Sequence, residues 1–128
     1  VFERLTFSYN IQKLQDFLSN TVIPIGDPIC PIEPGFGGWS ITSRDGTWQD
    51  GWRKSNETVD APHIYNVPTE LYIDYMKDVI EDINSKGLQP VKVRINNLPP
   101  HSKSSVHRDY PANKFRARLH IPLLTNEK

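Results

Sequence analysis

The chain has 128 residues, one domain's worth and enough to bury a core without disulfide or metal staples. Its 37% hydrophobic and 23% charged residues are ordinary for a globular protein, and no apolar run approaches the ~20 residues of a membrane-spanning helix. Fifteen basic side chains balance fifteen acidic ones, so there is no electrostatic footprint for nucleic acid or an anionic membrane.

Cys30 is the only cysteine, which rules out an intrachain disulfide. Between Ile29 and Pro31 it reads as a small packed hydrophobe, and the expected location is cytoplasmic. The chain opens on Val1 rather than Met, so the lack of a leader decides nothing. No repeat or low-complexity tract divides the chain, and a single domain over 1–128 is expected.

The first helix is expected over about 11–18. Asn10 is a candidate N-cap, and Ile11, Leu14, Phe17 and Leu18 form an apolar stripe. Residues 24–34 hold four prolines and read as an irregular connection. A glycine-rich lead, 35–38, then enters a strand through Ser43, followed by an Asp45-Gly46 turn. Thr47, Trp48 and Gln49 form a candidate return strand. Trp39, Trp48 and Trp52 read as core packing or as the wall of a substrate pocket.

The second helix is the clearer one. Pro68-Thr69-Glu70 is a start signal, and Gly87 followed by Pro90 is a stop. Between them Tyr72, Tyr75, Met76, Val79, Ile80 and Ile83 fall three and four apart, with Asp74, Asp78, Glu81 and Asp82 mainly on the other side. This is an amphipathic helix covering a core.

Residues 91–97 alternate and are β-branched, which predicts a strand. Pro99 and Pro100 must end it. The last predicted strand spans 116–124. Ala117, Leu119, Ile121 and Leu123 share one face; Arg116, Arg118, His120 and Pro122 share the other. The polar face fits a sheet side in solvent. The competing reading is a strand lining a polar cavity, where an arginine binds a carboxylate by a two-pronged pair.

The loop before that strand carries His107-Arg108-Asp109. A His-x-Asp pair on extended chain places an imidazole and a carboxylate on one side, as two ligands of the facial triad of non-haem Fe(II) oxygenases. The pair alone is weak, since composition gives about 0.3 chance matches, and His107 alone also suits a surface or capping role. His63 and His101 read as loop residues, at the surface and in a turn.

The combined order is far more specific: a strand ending at Asn96 and Asn97, a Pro-Pro turn, His107-x-Asp109, then Arg118-x-His120. It resembles the aspartyl/asparaginyl β-hydroxylase family of Fe(II)- and 2-oxoglutarate-dependent oxygenases, with the close match over about 91–124. The resemblance implies a mainly β fold with flanking helices, a double-stranded β-helix (jelly roll, cupin-like). It implies that His107 and Asp109 bind Fe(II), and that Arg118, His120 and Asn96 bind 2-oxoglutarate. The implied activity is hydroxylation, with dioxygen, of an unactivated C–H bond in an amino-acid, peptide or lipid substrate. The family's second metal histidine and second carboxylate-binding arginine lie on strands well beyond the Arg-x-His. The jelly roll is therefore expected to be incomplete at the C-terminus, its open strand edges prone to self-association, and 1–128 alone is not expected to turn over. The competing readings are an inactive cupin-like binding domain and a jelly-roll structural or assembly protein.

Overall fold

A computed structural model describes residues 8–29, 37–50, 64–98 and 119–124. Helix α1, Ile11–Phe17, starts where expected: the Asn10 side chain accepts a hydrogen bond from the Lys13 amide at 3.1 Å, satisfying a first-turn donor. The helical path then runs on through a π-helical turn, Leu18–Val22, into a short α2, Ile23–Ile25. Pro24 therefore lies within the helical arm, near the start of α2, where its missing N–H is tolerated. Gly26, with φ +154°, ends the arm.

Helix α3 is Asp74–Ser85, and its expected stripe is the buried one: Met76, Val79, Ile80 and Ile83 are all in the core. Gly87, at φ +87°, takes the left-handed conformation common just past a helix end. The expected start signal has another job. Pro68 belongs to a strand, the Thr69 amide donates to the Ile41 carbonyl, and the Thr69 hydroxyl donates toward the Ser40 and Ile41 carbonyls. A turn follows, and the helix begins five residues after Thr69.

Strand β1, Gly37–Ser40, pairs antiparallel with β4, Arg94–Asn97, in the register Trp39 opposite Ile95 and Gly38 opposite Asn96. Strand β2, Thr42–Ser43, pairs with β3, Val67–Pro68. Ile41, fully buried, is the joint between them. The Ile41 and Thr42 amides both donate to the Val93 carbonyl, at 2.8 and 3.1 Å, so the strand bends there and exchanges partners as at a bulge.

The double-stranded β-helix expectation is overturned. Among the described residues the strands form two two-stranded sheets of two to four residues per strand, not a jelly roll. Local chemistry explains several failures. The expected return strand at Thr47, Trp48 and Gln49 is not a strand: a turn covers Trp48, Gln49 and Asp50, the Asp45 side chain takes the Thr47 amide and Glu70 takes the Trp48 amide. Pro68 offers β3 no N–H. Residues 119–124 are irregular, with Pro122 among them, although their alternation partly survives: Ile121 and Leu123 pack on the core while His120 and Pro122 are exposed. Leu119 departs from the expectation and is 41% exposed.

One hydrophobic cluster joins these parts. Leu14, Phe17 and Val22 from the helical arm meet the α3 stripe, Trp39, Ile41, Trp48, Leu71 and Ile95. Trp39 and Trp48 thus serve as core; Trp52 lies outside the described residues. Among the described residues no helix is long and apolar enough to cross a membrane.

Candidate functional site

Strand β4 positions the first candidate. Side chains alternate along a strand, and Ile95 is buried opposite Trp39. Arg94 and Asn96 therefore share the other face. Asn96 is exposed and Arg94 half-buried, so this face presents one amide and one guanidinium, flanked across the register by Gly38 and Ser40. Ser40 is itself buried, its hydroxyl donating to the Asp50 carbonyl at 2.5 Å.

His120 is the second described candidate. It is exposed, in a segment tethered by the Gln15 side-chain amide, which donates to the Leu123 carbonyl at 2.7 Å. Ile121 and Leu123 hold this segment against the core. His107, Asp109 and Arg118 lie outside the described residues, as do Arg116, His63, His101 and Cys30. Among the described residues no three His, Cys, Asp or Glu side chains converge as a metal site would require; the expected metal pair stands elsewhere in the chain.

Two other polar assemblies were not anticipated. The first surrounds Asp50, which is fully buried. Its carboxylate accepts from the Arg44 amide at 2.8 Å, the Asp45 amide at 3.2 Å and the Arg44 guanidinium at 3.4 Å. Nearby, Asp45 accepts from the amide and hydroxyl of Thr47, and Ser43 accepts from the Gly46 amide. The Ser-x-Asp-Gly-Thr pattern hints at such a turn, but no local signal singles out Asp50 as its buried centre. Its full burial and these three described bonds make it a structural node.

The second lies on the rim between α1 and α3. The Tyr9 phenol donates to Asp82 at 2.8 Å, and the Lys86 ammonium reaches the same oxygen at 2.7 Å. Burial first, then the Asp82 carboxylate, pushes the Tyr9 phenol up to about 12. The hydrogen bonds from Lys86 and then Tyr9 hold Asp82 below its ordinary value. Next to it the Asn10 amide donates to the Tyr75 hydroxyl at 2.8 Å, and the Lys13 ammonium sits 5.3 Å from the Tyr75 ring centroid. Open grooves of about 270 and 380 Å³ run along this rim, and neither is lined by Asn96 or His120.

No family model, curated protein or solved structure matches this chain.

Proposed function

We propose that this protein is an Fe(II)- and 2-oxoglutarate-dependent dioxygenase that hydroxylates an unactivated C–H bond of an amino-acid, peptide or lipid substrate. The observation that carries the reading is the ordered set Asn96, His107-x-Asp109 and Arg118-x-His120 within 25 residues of chain. The donor chemistry suits the metal: a neutral imidazole nitrogen and a carboxylate oxygen are two parts of a facial triad for Fe(II), which leaves positions open for other ligands.

His107 and Asp109 hold the metal in this reading. Arg118 pairs with a 2-oxoglutarate carboxylate, and its guanidinium stays charged at any working pH. Asn96 and His120 contribute hydrogen bonds to the same molecule. The exposure of both side chains supports this, since each is open to a ligand arriving from solution. When bound, the metal and cosubstrate supply the oxidising chemistry, with succinate and CO₂ as co-products; the chain's own residues bind and orient.

Calorimetric titration of 2-oxoglutarate into the chain, with and without Mn(II), tests the reading. We expect metal-dependent binding that is lost in both His107→Ala and Asp109→Ala. Binding that ignores Mn(II), or that survives both substitutions, would sink the proposal.

A further inference from the structure

Arg94 was not among the residues the motif singled out, yet β4 places it two positions from Asn96 on the same face. That spacing is about 7 Å along a strand, within the reach of an arginine side chain. The four register positions of this face are Gly38, Ser40, Arg94 and Asn96. None is acidic, so nothing in the ladder itself repels an anion. Gly38, directly across from Asn96, carries no side chain; it is itself buried and bridged to Ile29 on its other edge, so the accessible part of the face is the Asn96 amide. Arg94 has other interactions within the fold, but a guanidinium carries five donors. It can keep an internal contact and still turn a two-pronged edge toward a carboxylate.

We propose that Arg94 and Asn96 together form a carboxylate-recognition strip on β4. Arg94 supplies the charge-matched fork and Asn96 the orienting amide, so the ligand is a carboxylate-bearing small molecule or side chain. The proposal rests on the reading of Asn96 as a cosubstrate contact and extends it by one residue. The carboxylate has two possible sources: 2-oxoglutarate itself, or an amino-acid substrate bound beside it.

The test uses the full chain loaded with Mn(II). 2-Oxoglutarate is titrated by calorimetry into wild type, Arg94→Ala, Arg94→Lys and Asn96→Ala, with far-UV circular dichroism and Mn(II) affinity as controls. Arg94→Gln replaces the alanine variant if that one fails to fold. A drop of about tenfold or more in Arg94→Ala, only partly recovered in Arg94→Lys because a point charge lacks the fork, assigns the strip to the cosubstrate. If 2-oxoglutarate affinity holds, thermal-shift screening against free L-amino acids, with Mn(II) and 2-oxoglutarate present, is the second arm. A shift seen in wild type and lost in Arg94→Ala assigns the strip to the substrate. Both arms unchanged overturns the proposal. Failure of the dioxygenase reading is seen separately, in His107→Ala leaving 2-oxoglutarate binding intact or in binding without Mn(II) dependence. Glutarate titrated without metal then decides: binding weakened in Arg94→Ala upholds the strip, and equal or absent binding in both proteins removes it.

Discussion

The helices and the strands of this protein are held by different forces. Helices α1 and α3 meet through apolar side chains, with polar contacts confined to an accessible rim. The strands have two to four residues each, too few for ladder bonds to hold them. Beside Trp39, Ile41 and Ile95 of the shared core, polar side chains hold them: Thr69 bonds to the Ser40 and Ile41 carbonyls, Ser40 to the Asp50 carbonyl, and Asp50 to two loop amides. The difference teaches where the molecule is fragile. Apolar contacts degrade in increments, whereas removing one buried acceptor strands every donor that faced it.

Asp50→Ala should therefore show the largest effect. It removes the buried carboxylate that the Arg44 and Asp45 amides and the Arg44 guanidinium share. We expect a loss of about 3–4 kcal/mol, because each donor that loses a buried acceptor costs about 1–3 kcal/mol and solvent lowers that cost at the Arg44 guanidinium, which is 32% exposed. Asp50→Asn keeps one acceptor oxygen and should lose clearly less. Chemical denaturation of the three proteins checks this. If Asp50→Ala cost no more than Asp50→Asn, the strands would not depend on this carboxylate.

Two glycines sharpen the comparison, because both sit at positive φ and only one touches the packed joint between helix and strand. A Cβ on Gly26 would lie 2.9 Å from Trp48 Cζ2. That ring has little room to retreat: the Trp48 amide donates to Glu70, and its carbonyl accepts from the Ser40 amide. The Gly26 carbonyl also accepts from the Trp39 indole at 2.9 Å. Gly26→Ala should lose about 2–3 kcal/mol, from overpacking added to backbone strain. Around Gly87 nothing lies within 4 Å of a new Cβ, so Gly87→Ala should lose only the conformational cost, about 1 kcal/mol. Equal losses in paired thermal melts would show that backbone strain alone sets both values.

The same division governs what was legible in the sequence. Helix signals are local, so the α3 stripe, the Asn10 cap and the Gly87 stop read correctly. The start of α3 did not, because Thr69 is claimed by carbonyls almost thirty residues away, and no local pattern announces that. Strand signals are half-local. Residues 91–97 alternate as a strand does, and the ladder occupies Arg94–Asn97; the alternation at 120–123 matches burial without any ladder. The jelly roll failed because strand pairing is a long-range property, and the Asp45 and Glu70 side chains take the Thr47 and Trp48 amides that a return strand would offer. Of the candidate site, alternation around Ile95 was enough to put Asn96 on an exposed face. It pointed just as well to Arg94, which the motif reading passed over.

The smallest effect belongs to the helix rim, and it is best read as a pH dependence. Tyr9 has its phenol pushed from 10.0 up to about 12, by burial first and by the Asp82 carboxylate second. A raised value means that the fold prefers the neutral phenol. The stability this contributes is complete below pH 10 and disappears as pH rises from 10 to about 12. Asp82 is shifted downward by Lys86 and Tyr9, so its contribution is present above the ordinary carboxylate value and disappears as pH falls through the lowered one. Phenolate absorbance of wild type minus Tyr9→Phe isolates the Tyr9 titration, and its midpoint should lie near 12. In Asp82→Asn the midpoint should fall only part of the way toward 10, because burial is the larger cause and remains. A fall all the way to 10 would show that the carboxylate alone sets the shift, and a wild-type midpoint near 10 would mean that Tyr9 is not docked on α3 in solution. The second outcome would leave the apolar stripe, the Asn10–Tyr75 hydrogen bond and the Lys13 contact with the Tyr75 ring to tie the two helices, while Asp50 would still govern the strands.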